Sequence, residues 1–329
     1  MMPIQHAVTL AICLLAESIC WRLQAADNKT LPPVRVVASN DGYEFLEDES
    51  PILFYQSTPK SIDGKFERAG YVHPLYDLNG NAISEDFPAD HLHHRGIFWA
   101  WHQLHVGDTQ IGDPWICQNF LSRVDGVTIA ADSADSAGIT ATTHWVSPDW
   151  KDSSGNLKPI VREQTQIQAR RSRNDSRVID FRIRLLALEP EVRIGGSDDV
   201  KGYGGFSPRF RLPNDVRFMA EYGEVEPQKT AVKASSWMDI SGSFKGEVAG
   251  QEGSTSGITI LCHPSVPGFP QQWIIRKARS MQNPVFPGRT PILLPTNEPL
   301  ELRYRLIVHR KPATEEQLTG WFDEYAAEK

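Results

Sequence analysis

VREQTQIQARR (residues 161–171) places Val161, Glu163, Thr165, Ile167 and Ala169 on one side of an extended chain, and Arg162, Gln164, Gln166 and Gln168 on the other. Side chains alternate between faces along a strand, whereas a helix brings a face round every 3–4 residues. A strand with one apolar and one polar face belongs to an antiparallel sheet packed on one side. The pattern recurs outward from this stretch. VIDFRIRLLAL (178–188) sets Ile179, Phe181, Ile183 and Leu185 against Asp180, Arg182 and Arg184. LELRYRLIVHR (300–310) aligns Leu300, Leu302, Tyr304, Leu306 and Val308. GITATTHWVS (138–147) alternates too, and YEFLEDESPILFYQ (43–56) reads as two short strands split by an acidic turn. NDG, DLNGN and SSGN punctuate the strands as turns. One helix stands out, TEEQLTGWFDEYAAEK (314–329), with Thr314 and Gln317 spaced as a capping box and Leu318, Trp321, Phe322 and Tyr325 on one face. The expected fold class is all-β: a large antiparallel β-sandwich, one domain over residues 26–329, closed by a C-terminal helix.

The composition, 40% hydrophobic and 23% charged, suits a globular chain with its own core. A net charge of −7, with no Lys/Arg cluster to offset it, argues against a nucleic-acid partner. AVTLAICLLAESIC (7–20), followed by the small residues of LQAAD, reads as an export signal over residues 1–25, so we expect a periplasmic or secreted protein. No other stretch is long and apolar enough to cross a bilayer. Cys117 and Cys262 would remain after cleavage, either joined in a disulfide or as separate thiols.

DHLHHRGIFWAWHQLH (90–105) carries five of the ten histidines, and His73 lies not far upstream. Imidazole is the commonest neutral metal ligand and the side chain whose ordinary pKa lies nearest neutrality. On an extended segment His91 and His93 would point one way and His94 the other. Two uses of the cluster are open. His91, His93, His73 and His102 can supply ligands to one divalent metal ion, although no His-Glu-x-x-His signature is present. Alternatively, His94 can act as a general acid/base with Asp90 beside it and Arg95 facing an oxyanion. Trp99 and Trp101 are candidate sugar platforms, with core strand as the plainer reading. GGSDDVKGYGGFSPRF (195–210) reads as a long loop offering Lys201, Tyr203 and Arg209 to a ligand, and CHPSVPGFPQQW (262–273) places His263 within possible reach.

YVHPLYDLNGNAISEDFPADHLHHRGIFWAWHQLHVGD resembles the signature of a bacterial family labelled "methane oxygenase PmoA", through Tyr71, His73, Pro74, Gly80, Asp86, Phe87, Pro88 and the Asp90-His-x-His-His-Arg-Gly96 core. KGYGGFSPRF, CHPSVPGFPQQW and LELRYRLIVHR resemble further blocks of it. The resemblance implies a sandwich of the mutarotase type and exported proteins found alongside sugar-processing dehydrogenases. The first expectation is therefore an enzyme acting on a carbohydrate or keto-sugar, of hydrolase, lyase or epimerase type, with a small-molecule or glycan ligand. The second is a non-catalytic carbohydrate-binding module with a structural histidine network. The third, following the label, is a copper-dependent oxygenase, but no methionine falls between residues 60 and 200 to ligate copper locally.

Overall fold

The computed structural model describes residues 33–131, 133–244 and 254–329. The expected export signal, residues 1–25, lies outside the described residues. Antiparallel strands dominate, as the alternation predicts. A six-stranded sheet runs, in spatial order, Val34–Ala38, Gly42–Glu47, Ser50–Gln56, Tyr71–Leu75, Ile97–Ala100, Gly205–Pro208. A nine-stranded sheet is built around the long strands Ser136–Val146, Val161–Arg170, Ser176–Ala187 and Leu300–His309. In it Ile167 pairs with Phe181 and Thr165 with Ile183, so their apolar faces coincide. The inner faces of the two sheets meet in a common core. Trp99 packs on Phe181 (ring centroids 6.4 Å apart), Phe181 on Phe206 (5.2 Å), and Phe206 stacks on Tyr304 (4.6 Å).

Glu163 sits on the inner face, as its place in the alternation requires. Its carboxylate accepts from Trp99 Nε1–H (2.8 Å), Trp145 Nε1–H (2.9 Å) and the Thr165 hydroxyl (2.8 Å). A buried carboxylate is costly unless its lone pairs are filled, and three donors fill them here. Burial outweighs those bonds and raises its pKa.

The long glycine-rich segment is not all loop. Gly205–Pro208 pairs with Ile97–Ala100 at the edge of the six-stranded sheet, Phe206 opposite Trp99. The strand Ile97–Ala100 is buried on both faces. Ile97 and Trp99 join the main core, while Phe98 and Ala100 join a second cluster with Tyr71, Trp115, Ile274 and Met281. That second cluster lies on the other face of the strand and carries the site described below.

The C-terminal helix Glu315–Ala326 has the expected capping box, and its buried residues Leu318 and Tyr325 pack with Trp237, Leu261 and Ile307. The strand Leu300–His309 is consequently buried on both faces from Leu302 onward. Its outer-face Arg305 bonds Asp180 (2.5 Å) and Glu328 (2.8 Å) instead of meeting water. Among the described residues no helix is long and apolar enough to cross a membrane. Cys117 and Cys262 are free thiols, so of the two readings left open the unpaired one holds.

Candidate functional site

Residues 88–94 are not extended. His91 N–H donates to Pro88 O and His94 N–H to His91 O, both at 2.9 Å, making two successive tight turns. Turning replaces strand alternation, so all three imidazoles gather instead of parting. His91 stacks on His94 (4.7 Å, 6° between planes), and His93 stands edge-on to both. Gly96 follows at φ 21°, and a Cβ there would lie 2.0 Å from Val72 O. The backbone of the turn therefore lies against the neighbouring strand, which only glycine permits. Beyond Ile97–Ala100 the chain returns His102 to the same place. His102 stacks on Trp115 (5.3 Å), and His94 meets the same indole edge-on (5.8 Å).

His91, His93, His94 and His102 line one open cleft of about 320 Å³, with Trp115, Lys201, Tyr203, Arg276, Arg279 and Ser280 among the other lining residues. That volume suits a small ligand. Among the described residues no carboxylate lines the cleft.

Two hydrogen bonds set the state of the imidazoles. Asp113 Oδ2 lies 2.9 Å from His102 Nδ1. A carboxylate only accepts, so Nδ1 carries a proton and Nε2 is the ring nitrogen left to serve a ligand. That Nε2 is buried and has no hydrogen-bond partner. Arg209 Nη1 lies 3.4 Å from His94 Nδ1. A guanidinium only donates, so His94 Nδ1 accepts and its proton sits on Nε2. Burial, then its neighbours His93 and His91, push the His94 pKa down to about 2. Burial first, then His91, Arg68 and His102, push His93 down to about 4. Both rings are neutral at pH 7. His91 Nδ1 pairs with Asp90 Oδ2 (2.7 Å), and burial is outweighed at Asp90 by His91 and Arg209, which hold its pKa down to about 2.

The expected site residues divide as follows. His91, His93, His94, His102, Lys201 and Tyr203 come together in the cleft. His94 cannot be an acid/base that titrates near neutrality, because it is 2% exposed and its charged form is desolvated. Arg95 does not face an oxyanion. It is fully buried, donating to Asp86 Oδ1 (3.0 Å), Lys60 O (2.6 Å) and Phe66 O (2.7 Å), with the Phe87 ring against its guanidinium. Asp90 and Arg209 are not among the residues that line the cleft. Arg209 bridges Glu85 (2.7 Å) and Asp90 (2.8 Å) and so holds the turn against the strand that follows Gly205. Trp99 and Trp101 are not sugar platforms: both are core residues, and Trp101 Nε1–H is bound to Phe286 O (3.0 Å). His263 is remote, bonded to Ser265 (2.8 Å) and Glu328 O (3.0 Å) under the C-terminal helix.

The four side chains expected as metal ligands do not form one set. His73 does not line the cleft and bonds Ser84 Oγ (2.9 Å), while His91 and His102 have their Nδ1 atoms committed to Asp90 and Asp113. Among the described residues no group of three or more His, Cys, Asp or Glu side chains is arranged to hold a metal ion. Arg276 and Arg279 escaped the reading of the sequence. The only trace there is the short basic run RKAR (276–279), which carries no recognisable spacing.

No curated protein matches this chain in sequence. Among solved structures it is similar to a crystal structure described as a candidate mutarotase from Salmonella typhimurium, at 8% identity, covering 84% of this chain and 90% of that one, with a TM-score of 0.29. A likeness that slight transfers no chemistry, and the fold rests on the sheets described above. A family model described as a family of unknown function, DUF6807, matches residues 43–323, and the chain belongs to that family.

Proposed function

We propose that this protein is an exported enzyme that moves a proton at carbon on a small carbonyl-bearing carbohydrate, in the manner of an epimerase or lyase. One observation carries the reading: two imidazoles on one cleft are oriented by opposite kinds of partner, His102 Nδ1 by the acceptor Asp113 and His94 Nδ1 by the donor Arg209. His102 Nε2, which no protein group occupies, is the base, uncovered when the ligand displaces the Tyr203 ring that packs edge-on against the imidazole (ring centroids 5.1 Å apart). It takes the proton from the carbon next to the carbonyl, and the C–H electron pair becomes an enolate. His94 Nε2–H is a fixed neutral donor for the enolate oxygen. A neutral imidazole whose depressed pKa suits it to polarise a carbonyl is a known catalytic solution in other enzymes. Return of that proton by His102 restores the starting centre, delivery of a proton from water to the opposite face of the enolate inverts it, and expulsion of an oxygen substituent from the next carbon, protonated by the His102 imidazolium as it leaves, completes an elimination. Hydrolysis by a carboxylate pair is not favoured, because no described carboxylate lines the cleft. The carbohydrate class follows the family resemblance and the polar, open, sugar-sized cleft. Export follows the apolar run at residues 7–20.

The test is solvent deuterium exchange into a panel of keto-sugars and sugar acids, followed by NMR. We expect the wild type to label one C–H position, and His102→Ala or Asp113→Asn to slow labelling by about 10²–10⁴-fold. Labelling that persists unchanged in both variants removes the base from the mechanism. Binding of a sugar without any labelling would favour the binding-module alternative.

A further inference from the structure

We infer that the cleft takes an anionic sugar, one carrying a carboxylate, and that Arg276 and Arg279 are the residues that select it. This rests on the proposed use of the cleft and names its substrate class. Arg276 is half-buried, and its guanidinium donates to three main-chain carbonyls, Gln228 O (2.6 Å), Ile275 O (2.7 Å) and Lys229 O (2.9 Å). Those bonds fix its position while leaving its charge without a carboxylate partner among the described residues. Arg279, three residues on, is exposed, lines the same cleft and makes no ion pair or hydrogen bond with any described residue. Lys201 adds a third positive charge at the cleft, shared with Asp199 at 3.3 Å.

The rest of the described lining adds no negative charge. The four imidazoles include two held neutral, and the lining contains no Asp or Glu. A chain of net charge −7 has thus placed two arginines without a carboxylate partner among the described residues on the cleft that His102 lines. Planar guanidinium groups match the planar carboxylate with paired N–H donors, which a tetrahedral sulfate matches less well. The placement also serves the chemistry. A carboxylate next to the reacting carbon gains negative charge when His102 removes the proton, and nearby cations stabilise that developing charge.

The experiment is calorimetric titration of the full chain with glucuronate, galacturonate, their methyl esters and a sulfated hexose, in wild type and Arg279→Gln. Arg279 is exposed and free of internal bonds, so the variant is expected to fold, which circular dichroism verifies. The expected result is an acid bound about tenfold more tightly than its ester, an advantage reduced by salt and largely lost in Arg279→Gln. Equal affinity for acid and ester, an unchanged advantage in the variant, or no binding of either acid overturns the inference. A sulfated hexose that binds more tightly than both acids overturns the carboxylate assignment. Acid-selective binding without deuterium exchange leaves this inference standing and removes the acid–base reading, whereas exchange on neutral keto-sugars alone does the reverse.

Discussion

At the scale of single residues, the charged and aromatic side chains of the histidine stretch divide by what they touch. Arg95 and His94 are neighbours in sequence, yet one is a structural bolt and the other lines the cleft. Arg95 is the principal partner of Asp86, whose side chain is only 5% exposed, and together with Lys60 it offsets burial and keeps that carboxylate ionised. Removing one member of a buried pair leaves the other uncompensated, at a cost of about 3–5 kcal/mol. Lys60 still bonds Asp86 at 2.8 Å, so we expect Arg95→Met to cost about 3 kcal/mol in urea denaturation, at the lower end of that range. The fraction that stays folded should keep its ligand affinity. A variant of normal stability that has lost binding would return Arg95 to the site. The alternation in VREQTQIQARR predicted where Glu163 points, but not that two indoles would bind it. That depends on Trp99 and Trp145 arriving from distant strands.

At the scale of elements, the turn over residues 88–96 is the part that local reading missed. An extended chain was expected to divide the imidazoles, and two tight turns gather them. Pro88 and Gly96 bracket the segment and are both turn residues, so a signal was present. What the sequence lacks is the partner surface: the strand Tyr71–Leu75 on one side and Arg209 on the other. At Gly96 a methyl group would meet Val72 O at 2.0 Å and His73 Cβ at 2.8 Å. Both contacts are with rigid atoms, so the turn must move away. We expect Gly96→Ala to destabilise by about 2–4 kcal/mol and to abolish ligand binding in the remaining folded protein. Thermal unfolding and calorimetry check this, and a wild-type melting profile would contradict the packing described. The helix Glu315–Ala326, by contrast, was fully legible, because its capping box and apolar face are contained in sixteen consecutive residues.

At the scale of the molecule, the buried imidazoles give stability a pH dependence of known sign. His93 and His94 have folded pKa values of about 4 and about 2, below the ordinary histidine value of 6.5. Between those values the unfolded chain binds more protons than the folded one, so acid favours unfolding. Their contribution is complete above the ordinary histidine value and is lost as pH falls below it. His309 works in the other sense. Burial opposes its charge, but Asp239 at 2.8 Å more than compensates and raises its pKa, so its contribution is present at low pH and is lost as pH rises through the raised value. We expect the thermal midpoint to fall on going from pH 7 to pH 5, and His93→Gln to flatten that slope, as scanning calorimetry at the two pH values would show. An unchanged slope in the variant would mean that His93 is not held neutral.

The alternating stretches by themselves determined the all-β class, the long antiparallel strands, the capped helix and the inward face of each strand, because a period of two is a property of the local backbone and of which side chains avoid water. The histidine stretch likewise announced a cluster. Only the tertiary structure decided what the cluster is: which imidazoles converge, that Arg95 and both tryptophans are committed to the interior, and that Arg276 and Arg279 come from far along the chain to face the rings. Tautomer, charge state and cleft shape are set by partners distant in sequence, such as Asp113, Arg209 and Trp115. A hydrogen bond or a buried charge acquires its meaning only when both ends are in place.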